Sequence, residues 1–180
     1  RRTVGAFVVA AMLAAVVGRA EATDTPAASP APVLLKPGET IPPFEATGID
    51  GEVREVKYKA PTVLIFFLSS CPVCHKMIPE WNQAFDRKPA GLEVVGVLMD
   101  REPPGFFAVT PVTFPVVRAP SREFGRIFKV ARVPITLRVA PGGKVEDFTP
   151  PADNARKALE AALDHWKAGN PPGTVPGTSP

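Results

Sequence analysis

The chain has 180 residues, enough for one domain and too few for two of ordinary size. Charged residues make up 22 % and hydrophobic ones 45 %, but the 23 prolines are roughly 13 % against a usual ~5 %, so some segments cannot be packed core. The net charge is +3, and no basic helix or Arg/Lys stripe with interleaved aromatics points to a nucleic acid. Two cysteines exclude a disulfide-stapled mini-protein and a four-cysteine zinc module.

Residues 1–22 read as an export leader. Arg1 and Arg2 form a basic start, an uncharged apolar stretch runs from Val4 to Val17, and Ala20-Glu21-Ala22 offers a small-residue cleavage site. The stretch is short for a membrane span, which needs roughly 20 residues. The reading is therefore a signal peptide, with a retained membrane anchor as the alternative. Either way the rest of the chain is expected outside the cytoplasm, periplasmic in a bacterium. Residues 23–37 carry Pro26, Pro30, Pro32 and Pro37 among alanines, the composition of an extended linker. Residues 169–180 are a Pro/Gly tail of the kind that stays disordered. Residues 38–168 remain as one domain.

Within that domain the apolar period changes repeatedly. Strands over 44–46 and 53–58 flank Asp50-Gly51, a hairpin signal. The run TVLIFFL at 62–68 suits a strand buried on both faces, and LEVVGVLM at 92–99 suits a second. Between them, 72–85 reads as a helix with Val73, Met77, Ile78, Trp81, Ala84 and Phe85 on one side and Pro79 as a kink. A proline-rich crossing over 101–113 precedes a strand at 114–117, and Ser121 can cap a helix through Phe128. Strands at 135–139 and 144–148 enclose the Pro141-Gly142-Gly143 turn. Ala155, Ala158, Leu159, Ala162, Leu163 and Trp166 line a closing helix ended by Gly169. The sum is an α/β fold, a central mixed sheet with helices on both faces and an N-terminal hairpin.

The chemistry lies in Cys71-Pro72-Val73-Cys74, where the first buried strand gives way to its helix. A sulfur at a helix N-terminus meets unpaired amides and the positive dipole end, which favour a thiolate. Pro72 suits the first turn because its missing N–H is not needed there. Cys74 falls one turn inward, less exposed but close enough to close a disulfide. The outer sulfur can attack a partner's disulfide, and the inner one can resolve the mixed species.

The stretch LIFFLSSCPVC at 64–74, Pro79, Val133-Pro134 before a strand and Pro141-Gly142-Gly143-Lys144 together resemble the thioredoxin fold, a three-layer sandwich. The added hairpin and the leader make the chain similar to exported TlpA/ResA-type thiol-disulfide oxidoreductases. The wording Leu-Ser-x-Cys-Pro-Val-Cys also resembles the methylamine dehydrogenase accessory proteins of that superfamily. The resemblance runs from about residue 38 to 168. It implies that Pro134 is a cis-proline facing the cysteines. With Val133, Pro72 and Val73 it would line the groove that takes protein disulfide or dithiol substrates. It further implies a monomer whose only cofactor is its own Cys71/Cys74 dithiol, with no metal, served by an upstream electron donor or acceptor in the membrane.

Three positions depart from that pattern. Ser69-Ser70 stand where relatives often have an aromatic residue before the first cysteine. Ile65 holds the place of a buried acid, and Met77 the place of a glutamate after the second cysteine. The usual proton acceptor for Cys74 is thus absent, and Asp100 and His75 are the substitutes expected. Rival readings attach to the same residues. Cys71 to His75 is also the C-x-x-C-H haem-attachment string, although here it follows a buried strand rather than sitting in a helical protein. Zinc on Cys71, Cys74, His75 and His165 would need the last helix to reach the motif. A peroxiredoxin needs Pro and Thr or Ser where Leu64 and Leu68 stand, and a related copper chaperone needs three residues between its cysteines rather than two. A redox-inactive binding domain with a structural disulfide is the remaining alternative.

Overall fold

In the computed structural model, which describes residues 35–121, 124–130, 132–149 and 155–167, the two continuous apolar runs become neighbouring strands at the middle of one sheet. The leader at 1–22, the linker as far as residue 34 and the tail from 169 lie outside the described residues. The strands are β1 (Phe44–Gly48), β2 (Val53–Val56), β3 (Thr62–Phe67), β4 (Glu93–Leu98), β5 (Val116–Arg118), β6 (Ile135–Val139) and β7 (Val145–Thr149). The helices are α1 (Pro72–Asp86), α2 (Phe106–Val109), α3 (Phe124–Ile127) and α4 (Ala155–Lys167). Spatial order is β2-β1-β5-β4-β3-β6-β7. β3 pairs parallel to β4, and β4 parallel to β5, while every other pairing is antiparallel. This is the expected mixed sheet.

Burial explains why β3 is apolar from Val63 to Phe67. All six of its residues are buried, because neighbours flank both edges and helices cover both faces. Val63, Ile65 and Phe67 face one layer, packed with Met77, Ile78 and Trp81 of α1 and with Leu159, Ala162 and Leu163 of α4. Leu64 and Phe66 face the other, with Phe124, Phe128, Leu137 and Val139. The second layer also holds Leu35, 6 % exposed, so the packed region reaches back into what the prolines mark as linker. Among the described residues, no helix is long and apolar enough to cross a membrane.

Local chemistry moves some boundaries. The strand expected at 114–117 starts only at Val116: Pro115 has no N–H for a ladder, although its carbonyl accepts from Gly96 N–H at 2.8 Å. The hairpin forms around Asp50-Gly51, with Gly51 at φ 87°, a conformation that needs glycine. The proline-rich crossing contains the short α2, entered through Gly105 at φ 79°. Pro79 lies inside α1 on its exposed side, and the helix continues through it.

Candidate functional site

Cys71 is the N-cap of α1. Its backbone is extended (φ −90°, ψ 111°), Pro72 opens the helix behind it, and Cys74 N–H donates to Cys71 Sγ at 3.3 Å. The helix start thus aims a backbone donor at the outer sulfur, an arrangement that suits an attacking anion. Both cysteines are free thiols, Cys71 half-buried and Cys74 fully buried at 0 % exposure. Cys74 belongs to the same apolar cluster as Ile65, Phe67 and Met77. Burial first, and then its hydrogen bond with Cys71, push the Cys74 thiol up to about 12.

That shift has a consequence for stability. The ordinary thiol value is 9.0, so in the unfolded chain Cys74 loses its proton at lower pH than in the folded one. The raised folded value means that its contribution is fully present below pH 9 and is lost as pH rises toward 12. Reduced protein should therefore lose stability between pH 9 and 11 faster than a Cys74→Ala variant, as read by denaturant unfolding. Parallel curves for the two would contradict the buried thiol.

Register builds the rest of the site. β3 and β4 pair at Phe67 and Leu98, and Met99 N–H donates to Phe67 O at 2.9 Å. Two residues further along each strand, Ser69 and Asp100 meet. Asp100 Oδ1 accepts from Ser69 N–H at 2.7 Å, and Oδ2 accepts from Ser69 Oγ at 3.0 Å, Ser70 N–H at 3.1 Å and Ser70 Oγ at 2.9 Å. Burial would raise the Asp100 carboxyl, but these four donors outweigh it and hold it below the ordinary carboxylate value. His75, from the first turn of α1, donates Nε2–H to Ser69 O at 2.6 Å, and its ring lies 5.4 Å from that of Phe106. Ser69 and Ser70 are the partners that the sequence reading missed.

β6 closes the opposite side. It pairs with β3 at Phe66 and Ile135, which brings Val133-Pro134 to the sheet end where the chain leaves for Cys71. The Val133–Pro134 peptide bond is cis. Pro134 is buried, and Val133 is half-buried against both core layers. Pro72 is exposed, as is Val73 at 42 %. The expected residues therefore gather at one end of the sheet, while His165 lies on α4. Among the described residues, no three His, Cys, Asp or Glu side chains converge as a metal site.

This architecture is that of the thioredoxin-like proteins, TlpA/ResA-type oxidoreductases included, and comparisons with solved structures agree. The chain is similar to a protein assigned as the thiol:disulfide interchange protein DsbE from Chlorobium tepidum: 27 % identity, 73 % of this chain and 97 % of that one covered, TM-score 0.65. StoA from Bacillus subtilis matches at 21 % identity, covering 69 % and 98 %, with TM-score 0.58. Peroxidoxin BcpB from Mycobacterium tuberculosis matches at 22 %, covering 74 % and 97 %, with TM-score 0.60. The chain belongs to the AhpC/TSA family, whose model matches residues 37–148. Comparison with curated proteins gave no match.

Proposed function

We propose that the protein is an exported thiol-disulfide oxidoreductase acting on protein substrates through Cys71 and Cys74. The observation that carries this reading is the unequal pair: a half-exposed sulfur capping α1, with a buried thiol one turn behind it. Cys71 as thiolate attacks a client disulfide, forming a mixed disulfide and releasing one client thiolate. Cys74 then loses its proton and attacks Cys71 Sγ. The Cys71–Cys74 disulfide forms, the second client sulfur leaves, and two electrons have passed to the client. The same steps in reverse oxidise a client dithiol. Val133 and the cis Pro134 edge the groove in which the client backbone lies, with Pro72 and Val73 on the cysteine side. No cofactor beyond the dithiol is needed, and a membrane electron carrier would restore it. The leader at 1–22 supports export. The likeness to a DsbE-type protein supports a disulfide substrate rather than a peroxide, as do Leu64 and Leu68 where a peroxide site would need Pro and Thr or Ser.

The test is stoichiometric. Pre-reduced protein mixed with a disulfide-containing protein substrate should lose two thiols for each substrate disulfide opened, counted by mass after alkylation. Substrate reduction with both thiols retained, or no reduction at all, would refute the reading.

A further inference from the structure

Apart from the backbone bond that closes the turn, the described polar contacts of Ser69 and Ser70 end on two side chains outside it. Leu68 O accepts from Cys71 N–H at 3.3 Å, so Ser69 and Ser70 are the central residues of a tight turn that delivers Cys71 to α1. Both amides and both hydroxyls of those residues donate to Asp100, which follows β4, while the Ser69 carbonyl accepts from His75. We infer that Asp100 and His75 are positioning residues that clamp this turn and hold Cys71 within reach of Cys74, and that Asp100 does not take the proton of Cys74. The inference rests on the dithiol reading above.

Chemistry separates the two roles. A carboxylate that takes a proton must give up an acceptor position, and Asp100 has four donors across its two oxygens. Its ionised form is the one those donors stabilise. Cys74, by contrast, sits in the apolar cluster with Ile65 and Met77. His75 Nε2 donates its proton to the Ser69 carbonyl, which can only accept, so that nitrogen is committed to holding the turn. What the clamp controls is the effective concentration of one sulfur at the other. A loosened turn lets Cys71 sample positions from which the disulfide cannot close.

Asparagine distinguishes clamp from base, because its carbonyl oxygen still accepts and its amide can meet a serine hydroxyl, yet it takes no proton near neutral pH. The equilibrium of the Cys71/Cys74 dithiol with glutathione disulfide is measured for the parent, Asp100→Asn, Asp100→Ala and Ser70→Ala, each first checked for an unchanged near-ultraviolet spectrum. Resolution of a preformed Cys71–glutathione mixed disulfide is timed from pH 6 to 9. Ser70→Ala removes one exposed hydroxyl and keeps the test open should Asp100→Ala fail to fold. The clamp predicts a graded loss: about tenfold in the closing equilibrium for Asp100→Ala, which is about 30 mV for this two-electron couple, with Asp100→Asn and Ser70→Ala in between. The pH profile of resolution keeps its shape in all of them. For His75, alanine should lose several-fold and glutamine, which retains an N–H donor, should recover part of it. Equal losses in Asp100→Asn and Asp100→Ala with a displaced pH profile would overturn the proposal in favour of a base. An unchanged equilibrium in the alanine and Ser70 variants would overturn the clamp itself. Client reduction is scored on the same parent samples. A protein that closes its disulfide yet ignores clients would sink the functional reading and leave the clamp result standing.

Discussion

Cys71→Ser is expected to lower disulfide exchange on the order of a thousandfold or more while leaving the fold in place. The size follows from removing the one cysteine that is not fully buried: Cys74 is at 0 % exposure, with its thiol pushed up to about 12, so it cannot take over as attacking group near neutral pH. The fold should tolerate the change, because a serine oxygen is a good N-cap and can accept from Cys74 N–H as the sulfur does. Substrate reduction and unfolding are measured on the same preparation. Residual exchange within tenfold of the parent would mean that Cys74 is reachable and that the two thiols are not divided by burial.

The second large effect concerns the support beneath the motif. Trp81 of α1 is fully buried, 6.2 Å in ring-centroid distance from Phe67 of β3 and 6.4 Å from Phe114. Trp81→Ala should cost about 3–5 kcal/mol, a large share of the ~5–15 kcal/mol by which a domain is stable. Among the described residues the buried indole N–H has no hydrogen-bond partner, so Trp81→Phe gives up no such bond and, leaving a smaller cavity, should cost less than Trp81→Ala. Denaturant midpoints of the three proteins decide the matter. A phenylalanine variant as damaged as the alanine one would mean that the N–H is satisfied after all.

Much of this was legible in the residues themselves, for reasons that differ by element. β3 and β4 announced themselves because a strand covered on both faces is apolar past its first residue, and α1 because its apolar residues recur at helical spacing directly after the strand. The same uniformity hid the register. With no alternation along TVLIFF or EVVGVL, nothing in the sequence says which residue of one strand lies beside which residue of the other. The meeting of Asp100 with Ser69 and Ser70, thirty positions apart, therefore became visible only with the Phe67–Leu98 pairing in place. Asp100 could be recognised as a strand-end acid beside the motif, but not what its oxygens hold. α2 could not be bounded from the sequence because four residues inside a proline-rich crossing are too few to show a period. Pro115, by contrast, carried its own signal, since a residue without an N–H cannot donate to the ladder inside a strand.

The division of labour between the two sulfurs is the centre of the account, and trapping tests it most directly. Cys74→Ser and Cys71→Ser proteins, each reduced, are mixed with a disulfide-bonded protein substrate, quenched in acid and resolved without reductant. Cys74→Ser should accumulate a mixed disulfide through Cys71, because the attack proceeds and nothing resolves it, and Cys71→Ser should accumulate almost none. Equal trapping by both variants, or adducts on Cys74 alone, would contradict the assignment of Cys71 as nucleophile and Cys74 as resolving thiol.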